Sequence, residues 1–275
     1  MRYYEEHDYV YPSRSDEHMI EVKKLRDITF DENYPYVDKS FWFKVKRVFF
    51  WIMLNPLVFF IATCMHGIKI YGRKQFKANR HLFKDGVITI SNHVYMWDYL
   101  SILKAIRPHI GYFPAWKTNL NGSNGGFIRL AGGIPIPTEN IKAMVKFKKE
   151  MDQILIDKKW MHFYPEGSMW YFYPDIRPLK KAVFKFAVEH NKPILPITIS
   201  FRKRRGIYRI FGKNPCSDVH IGEPIFPDMS LPKDEAIEKL HKEAYHIMQV
   251  MNGINPGDPT YNTNQNIDDY KCTVK

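Results

Sequence analysis

The sequence predicts an α/β fold, a mixed, largely parallel sheet flanked by helices, preceded by an N-terminal membrane-associated helical segment. Three observations carry this. From residue 86 onward short β-rich runs alternate with runs of helical period, the pattern of chains that lay strands side by side through helical crossovers. Polar residues of catalytic type follow the β-rich runs, where open α/β sheets collect their ligands. Ahead of them stands an eighteen-residue stretch without a charge.

Residues 1–40, opening on MRYYEEHDYV, are polar and acidic, where an export signal is basic and then apolar; they are read as a surface extension. Residues 41–75 form the membrane-associated segment. Its centre, VFFWIMLNPLVFFIATCM at 48–65, follows Lys44, Lys46 and Arg47 and precedes Lys69, Arg73 and Lys74. A bilayer span needs about 20 apolar residues, so this run is at the lower limit. Asn55 and Pro56 interrupt it, and proline removes a helix hydrogen bond and turns the preceding residue away from helix. Two short helices, or one kinked helix, are expected. Cations on both flanks give no orientation bias, which favours monotopic insertion on the cytoplasmic face beside anionic headgroups. The competing reading is a buried core helix.

Residues 76–252 form the main domain. Strands are expected at GVITIS (86–91), IGYFPA (110–115), GIPIP (133–137), WMHFY (160–164) and PILPITIS (193–200), with further β-like runs at GIYRIF and DVHI. Helices are expected at 98–106, 139–156, 179–190 and 233–251. In the second of these Ile141, Met144, Val145, Met151, Ile154 and Leu155 recur at helical spacing, a stripe suited to a core. Residues 253–275 are rich in Asn and Asp and read as a loose polar tail.

Lys and Arg number 41 against 29 Asp and Glu, a net charge of +12, which points to an anionic partner: nucleic acid, lipid headgroups or a phosphorylated substrate. The patch FRKRRG at 201–206 carries no accompanying nucleic-acid-binding motif, so nucleic acid is set aside and the patch is read as facing membrane or phosphate. Cys64, Cys216 and Cys272 are far apart, which fits neither a zinc site nor a disulfide framework and suits a reducing compartment.

Asn92, His93 and Asp98 follow the first strand; Lys117, then Thr138 and Glu139, follow the next two; Pro165, Glu166, Gly167 and Ser168 follow the fourth. Residues five apart on one helix lie about 140° apart, so His93 must precede the helix for Asp98 to reach it. A histidine held by a carboxylate can take a proton from a hydroxyl near neutral pH. No nucleophile elbow such as G-x-S-x-G is present, which leaves a substrate hydroxyl as the attacking group.

NHVYMWD resembles the N-H-x-x-x-x-D block of glycerolipid acyltransferases of the 1-acylglycerol-3-phosphate type. FYPEGS resembles that family's F-P-E-G-[ST] block, GGIPIP its G-x-I-x-I block and KPILPITI its V-P-I-V-P-V block, in the family's order. The resemblance implies transfer of a fatty acyl group from acyl-CoA or acyl carrier protein, as co-substrate, to a lysophospholipid hydroxyl, with no cofactor or metal. His93 would be the base and Asp98 its orienting partner. Asn92, Lys117, Thr138, Glu166, Gly167 and Ser168 are the candidate substrate-binding residues.

Two positions depart from the family. Thr138 and Met169 stand where it usually has arginines thought to hold the acceptor's phosphate, and neither replaces a bidentate guanidinium. Either Lys117, Arg129, Arg177, Lys180 or Lys181 takes over, or the acceptor is not a simple lysophosphatidate. A non-catalytic acyl-lipid-binding relative is the further alternative.

Overall fold

A computed structural model describes residues 9–253, apart from residues 16, 22, 24, 25 and 139. The expected loose tail therefore lies outside the described residues from 254 onward, as do Cys272, Glu139 and the first eight residues of the extension.

Among the described residues seven strands form: β1 (Lys69–Tyr71), β2 (Ile88–Ser91), β3 (Phe113–Trp116), β4 (Gly133–Ile136), β5 (Met161–Phe163), β6 (Ile194–Arg202) and β7 (Cys216–Ile221). Five make the main sheet in the order β1-β7-β6-β2-β5. β2 runs parallel to both β5 and β6, and β1 parallel to β7, while β6 and β7 are antiparallel. β3 and β4 pair in parallel as a separate ribbon, joined to the main sheet by a bridge from Tyr112 to Met161. The sheet is mixed and mostly parallel, as the alternating sequence pattern requires.

Side-chain alternation along each strand divides the interior in two. Ile88 and Ile90 of β2, Met161 of β5 and Ile194 of β6 enter one core with α6 (Ile141–Ile156), α7 (Ala182–Glu189) and α8 (Lys233–Met251). Leu195, Ile197 and Ile199 of β6 and Val219 of β7 enter the other with α3 (Asp98–Ile106). α6 begins at Ile141 because Asn140 caps it, its side chain accepting from the Ala143 N–H at 3.2 Å; such a cap is worth about 1 kcal/mol.

The N-terminal helix α1 (Phe41–Phe60) continues through Pro56 and passes into a π-helical turn at Ile61–Met65. It is one element at the level of backbone assignment, where two short helices were an alternative. Val48, Phe49, Ile52, Met53, Leu57 and Phe60 are exposed and recur at the helical period, so they form one apolar stripe. The opposite side packs inward through Phe50, Trp51 and Leu54. Among the described residues no helix is long and apolar enough to cross a membrane.

Other elements differ from expectation. GIYRIF is a 3-10 helix at Gly206–Phe211, not a strand: Ile207 and Ile210 are both exposed and three residues apart, which is the period of a 3-10 turn. Within the segment assigned to membrane association, Lys69–Tyr71 is an edge strand of the main sheet. α2 (Arg73–Ala78), α4 (Lys117–Asn121) and α5 (Gly125–Ala131) add short helices that the sequence pattern did not reveal.

Candidate active site

The site begins where β2 stops. Asn92 continues the ladder to β6 with its side chain: its Nδ2 donates to the Ile199 carbonyl at 2.8 Å, and the Ile199 N–H donates to its Oδ1 at 2.8 Å. The backbone is thereby released from the sheet and turns through His93, Val94 and Tyr95 into α3. Asp98, in the first turn of that helix and 1% exposed, accepts at one oxygen from the Val94 N–H (2.6 Å), the Tyr95 N–H (2.9 Å) and His93 Nδ1 (3.1 Å). His93 precedes the helix, as the five-residue spacing demands.

A carboxylate only accepts, so Nδ1 carries the proton and Nε2 keeps its lone pair. Burial raises the Asp98 carboxyl above the ordinary carboxylate range, while the His93 ring and the Tyr95 and Val94 N–H groups favour its charged form. The His93 side chain retains 26% exposure, which leaves it within reach of a ligand. Its ring lies on Tyr164, with centroids 3.9 Å apart and planes 18° apart.

Behind the histidine is a buried polar cluster. Glu166 Oε2 accepts from the His93 N–H at 3.0 Å and from Arg177 Nη2 at 2.7 Å, and Oε1 accepts from the Arg177 N–H at 2.9 Å. Arg177 Nη1 donates to Ser168 Oγ at 2.8 Å, and its guanidinium covers the Trp170 ring at 4.4 Å. Glu166, Ser168 and Arg177 are all buried. Gly167 sits between them at φ +84, with Lys180 Cε 2.6 Å from where a Cβ would stand; this left-handed turn favours glycine.

The structure thus brings His93, Asp98, Asn92, Glu166, Gly167 and Ser168 together at one sheet edge. Asn92 and Glu166 direct their side chains at backbone and at Arg177. Lys117 and Thr138 follow β3 and β4 on the separate ribbon. Two of the cations considered for phosphate hold the chain together: Arg177 in the buried cluster, and Arg129 through the Pro35 and Tyr36 carbonyls. Lys181 pairs with Glu238.

Several participants escaped the sequence reading. His162 on β5 is fully buried beneath the site, with Nδ1 2.9 Å from Thr89 Oγ1; burial pushes its pKa down to about 3, the nearby His93 adding to the shift. Tyr164 directly precedes PEGS in the chain but is silent as a motif. The N-terminal extension crosses the same edge. Tyr11 stacks on Trp170 at 5.5 Å and donates to the Tyr171 carbonyl at 2.9 Å, Ser15 O accepts from Arg177 Nη1 at 2.7 Å, and Glu17 O from Trp170 Nε1 at 3.0 Å.

A family model described as acyltransferase matches residues 67–200. Residues 67–200 thus carry an acyltransferase domain. The matched span runs from the approach to β1 into β6 and includes His93, Asp98 and Glu166. In structure the chain is similar to the 1-acyl-sn-glycerophosphate (LPA) acyltransferase PlsC from Thermotoga maritima, with 19% identity and a TM-score of 0.43 over 76% of this chain and 95% of that one. Comparison with curated protein sequences gives no match.

Proposed function

We propose that this acyltransferase moves a fatty acyl group from acyl-CoA or acyl carrier protein to the hydroxyl of a lysophospholipid, with 1-acyl-glycerol-3-phosphate the leading acceptor. The observation that carries the reading is the His93–Asp98 pair, with Nδ1 engaged by the carboxylate. Nε2 takes the acceptor's hydroxyl proton as the oxygen bonds to the thioester carbonyl carbon. The tetrahedral oxyanion collapses, the C–S bond breaks, and the imidazolium returns its proton to the departing thiolate. One ester forms for one thioester broken, without an acyl-enzyme. Asp98 favours the imidazolium that exists midway.

The acceptor assignment draws on the sequence blocks and on the name of the PlsC relative. Thr138 and Met169 favour a second reading, a lipid acceptor without the phosphomonoester. The apolar stripe of α1 supports docking to the cytoplasmic face of a membrane, where both lipid substrates are found.

The test is acyl transfer by the purified full chain, with acyl-CoA and acyl carrier protein as donors and with phosphorylated and unphosphorylated lysolipids as acceptors. His93→Ala should lower kcat by about 10²–10⁴-fold while vesicle binding persists; full activity in that variant refutes the assignment.

A further inference from the structure

A groove of about 740 Å³ opens at the same edge of the sheet as His93, within the size range of ligand sites. Its near wall is continuous with the catalytic turn: it includes Ile199, which Asn92 clamps, and Phe172, whose N–H donates to the Val94 carbonyl at 2.7 Å. This position follows from topology. β6 runs past the end of β2, and its last residues meet the start of β7, where Asp218 pairs in register with Lys69 of β1.

The FRKRRG patch divides by alternation at this point. Arg202 turns to the Asp218 carboxylate, the Gly67 carbonyl and the Ser217 carbonyl, and Arg204 is buried against the carbonyls of Met65, Tyr208 and Asn214. Lys203 and Arg205, both exposed, line the groove with Lys69 and Arg202. Four basic residues face the single carboxylate of Asp218 among the lining residues, a formal surplus of three positive charges, and Arg202 already neutralises that carboxylate. Low-dielectric walls concentrate the field of such a surplus.

We propose that this groove is a phosphate-binding subsite of the transfer reaction, in which Lys69, Lys203 and Arg205 hold a phosphomonoester carried by one substrate while its reacting end reaches His93. It answers the absence of arginine at positions 138 and 169 and rests on the acyl-transfer reading. Two substrates offer the same chemistry, the headgroup of a lysophosphatidate and the 3′-phosphate of CoA.

The experiment compares the full chain with Lys203→Glu/Arg205→Glu in zwitterionic micelles. Two ratios of kcat/KM are read: lysophosphatidate over monoacylglycerol as acceptor, and acyl-CoA over acyl-N-acetylcysteamine as donor. At least a tenfold fall in the first ratio assigns the groove to the acceptor; the same fall in the second assigns it to the donor. Both ratios unchanged overturn the proposal. If the wild type transfers from no thioester, the catalytic reading fails by itself. Titration with 3′,5′-ADP and with lysophosphatidate then decides the groove, since tenfold weaker binding of either by the variant supports it and equal binding of both overturns it. Lys203→Gln/Arg205→Gln repeats each comparison with less disturbance to the fold.

Discussion

Glu166 and Arg177 form a fully buried ion pair, 2.7 Å from oxygen to nitrogen, whose carboxylate also fixes the backbone N–H of His93. The turn that carries His93 is therefore held from behind by a charge that water does not reach. Removing one partner leaves the other uncompensated, which costs about 3–5 kcal/mol. Arg177→Met and Glu166→Gln should each lower the denaturant midpoint accordingly. The double variant should lose less than the sum, a coupling that a double-mutant cycle in chemical unfolding measures; strict additivity would show the pair to be energetically idle.

Asp98 accepts three hydrogen bonds at one oxygen. An amide can still accept there, but its carbonyl oxygen cannot stabilise the imidazolium as a carboxylate does. Asp98→Asn should reduce kcat by about 10²–10⁴-fold with a far smaller change in KM, read from steady-state kinetics with any acceptor the enzyme uses.

Tyr164 supplies the surface on which the His93 ring lies, yet its hydroxyl is buried without a hydrogen-bond partner among the described residues, and burial holds its pKa well above the usual tyrosine range. Tyr164→Phe should raise stability by about 1 kcal/mol, since an unpaired buried hydroxyl costs about that or more. Tyr164→Ala removes the stack and should lower kcat. Thermal unfolding of the pair of variants separates ring from hydroxyl.

His162 titrates near 6.5 in the unfolded chain and at about 3 in the folded one. Above pH 6.5 neither state binds the proton; between 6.5 and 3 only the unfolded chain does, so stability falls as the pH drops. At pH 5 this amounts to about 2 kcal/mol, from about 1.36 kcal/mol per pH unit. Buried His241, pushed down to about 4, adds a loss of the same sign. His162→Gln should shrink the stability difference between pH 7.5 and pH 5 in urea unfolding; an unchanged difference would contradict this.

The stripe on α1 predicts vesicle binding. Phe49→Ser/Ile52→Ser/Met53→Ser removes three exposed apolar side chains and should weaken partition into phosphatidylcholine vesicles by roughly a hundredfold or more, measured by co-sedimentation.

Much of this was legible in the sequence because it is local. The β2 run, the five-residue spacing of His93 and Asp98, and the α6 stripe depend on near neighbours in the chain, and the strand-to-helix order sufficed to place Glu166 beside His93. What escaped depends on distance or on solvent. Arg177 stood among candidates for phosphate because a sequence does not display burial; only the fold shows its guanidinium enclosed by Glu166, Ser168 and Ser15. β1 is three residues long, too short for a period to emerge, and GIYRIF imitates a strand because two isoleucines three apart suit more than one geometry.

The contact of Ser15 with the edge that carries His93 orders events during synthesis. Ser15 and Arg177, bonded through the Ser15 carbonyl, are 162 positions apart. At about 5–20 residues per second a ribosome needs roughly 8–30 s to travel that distance. Ser15 thus emerges well before the arginine it docks on, and α1 leaves the ribosome long before the surface that this segment finally covers has been made.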